Sequence, residues 1–311
     1  MRIRVSGSAL FLVGAIVLVA ASSGLLAGAV TPSGAAATST STTTTTQPSD
    51  SPLDANVVRY LRTRTDTVSI GIFDVTTNQT WSLNSDLVFH AASVAKVNLM
   101  AAFLYQTQRH HQAMSSDDAG KLQTMIVYSD NVNADYFYNK VGSCKGLAAF
   151  NALIPMPSTT PGCPFNHIYG WGTTSTNVLD QLSLFNLFVA HNSILSDASR
   201  AYGLNLLTHI SAANTWGVTT GPPPGTTIAF KNGWSPLDSL TNWEINSVGW
   251  LRGSRRNYEI AILSRHNPSY AYGVSTVNYV AQLLWNTMGA TRYGTPTTTT
   301  TMPPAPRADR G

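Results

Sequence analysis

The sequence has little cysteine, with only Cys144 and Cys163 among its 311 residues. Neither cysteine lies near the N-terminus, which excludes the thioether lipid anchor of bacterial lipoproteins. The seven histidines are scattered through the chain and show no ligand spacing typical of a zinc site. We therefore expect no bound metal and no cofactor.

An excess of positive charge is also lacking in the body of the chain. The formal net charge is +4, but Arg2, Arg4, Arg307 and Arg310 all lie at the two ends. The remaining residues are close to neutral and contain no basic stripe interleaved with aromatic residues. We therefore expect no nucleic-acid partner.

The first thirty residues have the composition of an export signal. Arg2 and Arg4 precede an uncharged apolar run from Ala9 to Val30, and small residues at 27–29 offer a cleavage site. We predict a signal peptide over residues 1–29, so that the protein is secreted or resides in the cell envelope. An uncleaved membrane anchor is the alternative, because the run is about long enough to cross a bilayer. That anchor is the only membrane contact we expect.

Two segments lack the apolar residues that a folded core needs. Residues 30–52 are rich in Thr and Ser, and residues 294–311 are rich in Thr and Pro. Such compositions bury too little apolar surface to offset the entropy lost on ordering. We predict a disordered linker and a disordered tail around a single monomeric domain at residues 53–293.

Export also bears on the two cysteines. In an oxidising compartment a lone pair of cysteines is more often a disulfide than two free thiols. We therefore predict a bridge between Cys144 and Cys163, closing a loop that is rich in Pro and Gly. Two free thiols remain the alternative.

Hydrophobic periodicity predicts the secondary structure of the body. The strands are expected at Val68 to Val75, Thr80 to Leu83, Thr227 to Lys231, Ile245 to Leu251, and Tyr258 to Ser264. The helices are expected to begin near Ser93 and near Ser115 or Ser116, and to cover Tyr136 to Val141, Asn177 to Val189, and Val274 to Met288. Strands at both ends with helices between them predict an α+β fold, with one antiparallel sheet and an inserted helical lobe.

The first candidate motif is Ser93-Val94-Ala95-Lys96. Residues three apart on a helix share a face, so the amine of Lys96 can lie beside the hydroxyl of Ser93. A neutral amine held in apolar surroundings can take the proton of that weak nucleophile. A helix N-cap followed by a surface lysine is the alternative, although the neighbours of Lys96 are apolar.

The second candidate motif is Ser129-Asp130-Asn131, directly after an apolar helix. Amide cleavage needs a hydroxyl that passes a proton to the leaving nitrogen, and an amide that holds the substrate carbonyl. Ser129 and Asn131 supply these two groups. The alternative is a helix end that runs into the N-cap of the next helix.

The third candidate motif is Lys231-Asn232-Gly233-Trp234 on a late strand. A lysine that points into a cleft can bind a substrate carboxylate and bias the hydroxyl of Ser129. A glycine lets a substrate backbone lie against the strand edge. The alternative is a strand that ends in an Asn-Gly turn.

Together, the order and placement of these motifs resemble the serine β-lactamase and penicillin-binding-protein superfamily, whose motifs are S-x-x-K, S-D-N and K-T-G. The class A-like branch is the most similar in size. The resemblance implies a class A β-lactamase-like fold: a five-stranded antiparallel sheet flanked by N- and C-terminal helices, plus an all-helical lobe. The third motif departs from the pattern, because Asn232 stands where the superfamily usually has threonine.

The resemblance also assigns roles to single residues. It implies catalytic roles for Ser93, Lys96, Ser129 and Lys231, and substrate contact for Asn131, Asn232, Gly233 and Trp234. Ser93 would be the acylated nucleophile and Lys96 its general base, while Ser129 would relay the proton. The backbone N–H groups of Ser93 and Trp234 would form the oxyanion hole.

One expected residue is missing. Class A β-lactamases use a glutamate in the Ω-loop to drive water onto the acyl-enzyme, but no glutamate occurs between Asn131 and Glu244. His167 lies in the corresponding segment and is a candidate deacylation base near neutral pH. A histidine packed in the loop without a catalytic role is the alternative.

Two classes of function follow from these observations. As an enzyme, the protein would form an acyl-enzyme with a β-lactam or a peptidoglycan stem peptide of the D-alanyl-D-alanine type, and release it slowly. As a non-catalytic module, it would keep the fold and bind cell-wall peptides or a protein partner. A buried Lys96 beside Ser93 has no purpose in a binding module, so the motifs favour the enzyme.

Overall fold

The computed structural model describes residues 51–164, 170–236 and 242–290. The predicted signal peptide, the linker before residue 51, the C-terminal tail and His167 all lie outside these ranges. Within them, no helix has both the length and the apolar character that crossing a bilayer requires.

The strands form one large sheet and one small one. In chain order the strands are β1 (Thr67–Asp74), β2 (Gln79–Leu83), β3 (Phe89–His90), β4 (Ser175–Thr176), β5 (Thr227–Pro236), β6 (Trp243–Gly253) and β7 (Arg256–Asn267). Five of them make an antiparallel sheet in the order β2-β1-β7-β6-β5, and β3 pairs with β4. The predicted antiparallel sheet, built from both ends of the body, is confirmed.

Helices occupy most of the chain between β2 and β5. The helices of the described residues are α1 (Ala55–Leu61), α2 (Ala95–Arg109), α3 (Ser116–Val127), α4 (Asn131–Lys140), α5 (Ser143–Asn151), α6 (Val178–Val189), α7 (Asp197–Thr208) and α8 (Tyr270–Ala290). The side chains of Ser115, Asp130 and Asn177 cap α3, α4 and α6 by accepting backbone N–H groups of the first turn. These helices complete the predicted α+β fold.

Both faces of the large sheet are covered, which explains why its inner strands are almost continuously buried. Successive side chains of a strand point to opposite faces. In β7, Ala261 and Leu263 pack into a core formed with α2 and α6, whereas Ile260 and Ile262 pack into a second core with α1 and α8. The helical lobe and the terminal helices therefore lie on opposite faces.

A disulfide joins Cys144 to Cys163, which lie 19 positions apart, and confirms the predicted bridge. Closing a loop of this length removes entropy from the unfolded chain and contributes about 3 kcal/mol of stability. The bracketed segment was expected to be a loop, but its first part is α5. Gly146 lowers helix propensity, yet it is required there, because a Cβ at this position would clash with the carbonyl oxygen of Val141.

Candidate active site

Ser93 lies in a tight turn at the start of α2. Residues Ala92–Val94 form one turn of 3₁₀ helix, and Ala92 has a left-handed φ of 48°. A non-glycine residue at positive φ is strained and is often found at functional sites. The turn leaves Ser93 half-buried, and not enclosed in the core.

Gly233 of β5 packs directly against this turn. A Cβ at Gly233 would lie 2.8 Å from Ala91 O and from Val94 N, and 2.9 Å from Ser93 N. Our sequence-based expectation gave this glycine to the substrate, but its contacts are with the chain around Ser93. The glycine is needed because strand and turn meet without room for a side chain.

Lys96 is fully buried at the base of the site. Its Nζ donates to the backbone oxygen of Ser129 at 2.5 Å, to Asn131 Oδ1 at 2.8 Å and to Ser129 Oγ at 3.2 Å. The alternative of a surface lysine is therefore wrong. An ammonium has three donors, and these three acceptors match them. No hydrogen bond joins Lys96 to Ser93 within the described residues, contrary to the expected direct contact.

Burial changes the acidity of Lys96. It lowers the pKa of the amine to about 7, because a charged group loses hydration inside the protein, while the nearby carboxylates of Asp130 and Asp135 partly offset the effect. A substantial fraction of the amine is then neutral at physiological pH. A neutral amine is the form that can accept a proton.

Ser129 lies between two buried amines. Lys231 is fully buried, and its Nζ donates to Ser129 Oγ at 2.9 Å and to the backbone oxygen of Asn232 at 3.0 Å. Burial, and secondarily repulsion from Lys96, holds the pKa of Lys231 well below its usual range. Ser129 itself has a left-handed φ of 60°. The three motifs thus meet at one hydroxyl.

The second motif both caps helix α4 and supplies side chains to the candidate site. Asp130 caps α4, because its side chain accepts the backbone N–H of Asn133 at 2.7 Å. The sequence analysis gave a helix N-cap as the alternative interpretation of this motif, and the structure contains that cap. The cap also fixes its neighbours, so that Ser129 and Asn131 both face Lys96.

The side chain of Asn232 is directed away from Ser129, in contrast to the sequence-based expectation that it contacts the substrate. This side chain is fully buried, donates to the backbone oxygens of Asn214 and Trp216 at 2.8 and 2.9 Å, and accepts from Ser247 Oγ at 2.6 Å. These contacts hold the segment before β5 against the sheet. Lys231 and Gly233 point to the opposite face of the same strand, as alternation requires.

Trp234, the last residue of the third motif, is half-buried. Its ring lies edge-on to Trp216 and Tyr270, with centroid distances of 6.2 and 5.9 Å. Such ring pairs favour edge-to-face geometry and stiffen the strand end. The side chain therefore has a packing role beside the backbone role that the resemblance implies.

Two functional candidates were missed by the sequence analysis, namely Asp135 and Trp171. The indole N–H of Trp171 donates to Asp135 Oδ1 at 2.7 Å, and the Lys96 amine lies 4.8 Å from the centre of the Trp171 ring. Burial raises the pKa of Asp135, while the Trp171 hydrogen bond and the charge of Lys96 lower it. A carboxyl group therefore stands beside the amine of the first motif.

A sequence signal for Asp135 was available. Asp135 follows Asn131 by four residues on α4, and residues at this spacing share one face of a helix.

Across the described ranges, no group of three or more His, Cys, Asp or Glu side chains is arranged to hold a metal ion.

Comparison with known proteins identifies the fold. No protein-family model matches the chain, and no curated protein matches it. Among solved structures, the TLA-1 extended-spectrum β-lactamase matches with a TM-score of 0.68 at 16% identity, covering 76% of this chain and 98% of that chain. A class A β-lactamase from Bacteroides cellulosilyticus DSM 14838 matches with a TM-score of 0.67 at 13% identity, covering 76% and 97%.

A third similar structure is a class A β-lactamase from Mycobacterium abscessus, with a TM-score of 0.63 at 14% identity, covering 76% of this chain and 98% of that chain. At sequence identities this low, structural similarity indicates the fold but not the activity. The chain therefore has the α+β fold of the class A β-lactamases.

Proposed function

We propose that the protein is a β-lactamase-like serine hydrolase of the cell envelope, which forms an acyl-enzyme on Ser93 with a β-lactam or a D-alanyl-D-alanine-type amide. One observation carries this proposal: the buried amines of Lys96 and Lys231 both bond the hydroxyl of Ser129, at 3.2 and 2.9 Å, beside the turn that holds Ser93. A packing role does not require two buried amines around one hydroxyl, because burying an amine is costly.

The first step is proton transfer from Ser93 to Lys96. A neutral amine keeps two N–H donors, which fit the backbone oxygen of Ser129 and Asn131 Oδ1, the two nearest acceptors at 2.5 and 2.8 Å. Its lone pair is then free to accept the Ser93 proton. The Ser93 oxygen attacks the substrate carbonyl carbon, and the new negative charge falls on the carbonyl oxygen.

The second step breaks the carbon–nitrogen bond of the substrate. Ser129 gives its proton to the leaving nitrogen and regains one from Lys96, whose amine lies 3.2 Å away. Lys231, 2.9 Å from the same hydroxyl, favours the transient oxygen anion on Ser129. Ser93 is left as an ester with the acyl group of the substrate.

The oxyanion hole is proposed at the contact between β5 and the Ser93 turn. The Gly233 position lies within 3 Å of Ser93 N when a Cβ is built there, so the strand is adjacent to that N–H group. The N–H of Ser93 and that of Trp234 are then the two donors that would stabilise the carbonyl oxygen.

Hydrolysis of the ester is proposed to be slow. No glutamate occurs between Asn131 and Glu244, and His167 lies outside the described residues. Two carboxyl groups lie near Lys96, but Asp130 accepts the backbone N–H of Asn133 as the cap of α4, and Oδ1 of Asp135 is bonded to Trp171. The missing glutamate also favours the second candidate function, a module that binds cell-wall peptides or a partner without turnover.

The test is a time course with a fluorescent penicillin, followed by intact-protein mass and by peptide mapping of the adduct. We expect one adduct per chain, located on Ser93 and stable for hours after excess reagent is removed. Rapid loss of the adduct with hydrolysed penicillin in solution would overturn slow deacylation. Complete absence of an adduct would overturn the acyl-enzyme and favour the binding module.

Asp135→Asn is predicted to shift the pH dependence of adduct formation. The Asp135 carboxylate raises the pKa of Lys96, so its removal should lower that pKa and leave more neutral amine in mild acid. The variant should therefore form the adduct severalfold faster than the unmodified protein near pH 6, relative to each protein's rate at pH 8. Stopped-flow fluorescence across this range measures the effect.

The matched control is Asp86→Asn, which removes an exposed carboxylate before β3. The asparagine introduced at 135 retains a carbonyl oxygen for the Trp171 N–H, so the fold should not change. An unaltered pH midpoint in Asp135→Asn would show that this carboxylate does not act on Lys96.

A further inference from the structure

A cavity of about 550 Å³ lies between α6 and the large sheet. Its walls are mainly apolar and include Ile154, Pro155, Leu179, Leu182, Leu187 and Ile194. The volume falls within the range of about 300 to 1,000 Å³ that is usual for small-ligand sites. None of the residues that line it belongs to the candidate active site.

The floor of the cavity is a row of three paired residues across the sheet. Phe73 of β1 pairs with Thr80 on one side and with Glu259 on the other, and paired residues share one face of a sheet. Thr80 is exposed, Phe73 is half-buried and Glu259 is fully buried. The row therefore runs from the rim of the cavity to its inner end, where it ends at a carboxyl group.

The carboxyl group of Glu259 is only partly satisfied. Its Oε1 accepts a hydrogen bond from Asn186 Nδ2 at 2.7 Å, whereas Oε2 is buried and has no partner within the described residues. Leaving a buried polar atom without a partner costs stability. Burial raises the pKa of Glu259 to about 8, while the hydrogen bond from Asn186 partly counteracts this effect. Among the described residues, no other titratable side chain lines the cavity.

We propose that this cavity is a binding site for a small molecule with an apolar body and a primary ammonium group, which pairs with Glu259. The ammonium supplies both the missing hydrogen bond to Oε2 and a counter-charge for the carboxylate. The apolar walls bury the remainder of the ligand. Since none of the lining residues belongs to the candidate active site around Ser93, the proposal does not depend on the proposed hydrolase activity.

The proposed ion pair between the ligand ammonium and Glu259 predicts how the affinity depends on pH. Only the ionised carboxyl forms an ion pair, and the apparent affinity scales with the ionised fraction. A primary alkylammonium keeps its charge through the neutral range. Its affinity should therefore rise by about tenfold per pH unit below the pKa of Glu259 and level off near pH 8. A neutral ligand of the same shape should show no such rise.

The experiment uses 2-phenylethylammonium as the probe and 2-phenylethanol as its neutral counterpart, with binding measured by ligand-observed NMR and calorimetry. At pH 8 we expect the ammonium to bind at least about tenfold more tightly than the alcohol. Glu259→Gln should abolish this preference and the pH dependence. Ser183→Leu, which fills the cavity from α6 and keeps Glu259, should weaken both probes.

Glu244→Gln is the matched control. Glu244 is also buried, and burial raises its pKa to about 7, but it does not line this cavity. The control should retain the preference for the ammonium. Equal affinities for the two probes, or a preference that survives in Glu259→Gln, would overturn the proposed site. Thermal unfolding of each variant confirms that the comparison is made between folded proteins.

Discussion

A Ser93→Ala variant is expected to form no adduct with a fluorescent penicillin under conditions in which the unmodified protein is fully labelled. Alanine lacks the oxygen that becomes the ester, so no proton acceptor or oxyanion hole can compensate. Loss of a catalytic nucleophile lowers rates by more than about 10³-fold. Intact-protein mass spectrometry measures the labelled fraction directly.

The fold should tolerate this change. The Ser93 side chain makes no hydrogen bond to another described residue, so we expect the free energy of unfolding to change by less than about 0.5 kcal/mol. Ser116→Ala, at an exposed serine in the first turn of α3, is the matched control and should label normally. Labelling of Ser93→Ala at the normal rate would assign the acylation to a different residue.

Much of the fold was predictable because local signals agreed with the final packing. The β-branched and apolar residues of Val68 to Val75 and the run Thr80 to Leu83 predicted the paired strands β1 and β2, and Asn177 marked the start of α6. Buried strands read as apolar runs, and both faces of the sheet are indeed covered. Element boundaries were less accurate, because strand β5 continues through the Asn232-Gly233 pair, which resembles a turn signal.

Some helices were missed for physical reasons. Helix α7 buries only Gly203, Leu206 and Leu207, so its sequence has a weak hydrophobic periodicity. Helix α5 contains Gly146, whose presence reflects the close approach to Val141 and not a break in the helix. Contacts of this kind depend on tertiary structure and leave no local signal.

The candidate site was predictable in part. The motifs identified Lys96, Ser129 and Lys231, which meet through hydrogen bonds. The direction of Asn232 could have been deduced, because strand residues alternate and Lys231 must face Ser129. The partnership of Asp135 with Trp171 could not, since 36 residues separate them in the chain.

Substitutions of Lys96 distinguish a proton-transfer role of its amine from a purely electrostatic role. Lys96→Ala should lower the rate of adduct formation by about 10³-fold, the usual contribution of a general base. Lys96→Arg should be similarly slow, because a guanidinium keeps its positive charge but does not release its proton in proteins. Lys145→Ala, at an exposed lysine of α5, is the control and should react normally.

The unmodified protein provides a test that does not depend on whether these variants fold. Burial lowers the pKa of Lys96 to about 7, so the reactive neutral amine accumulates as the pH rises through that value. The rate of adduct formation should rise about tenfold per pH unit below pH 7 and become constant above pH 8. A rate that does not vary between about pH 5.5 and 8.5, or a fully active Lys96→Arg variant, would rule out this amine as the base, because neither result is compatible with a proton acceptor that must first lose its own proton.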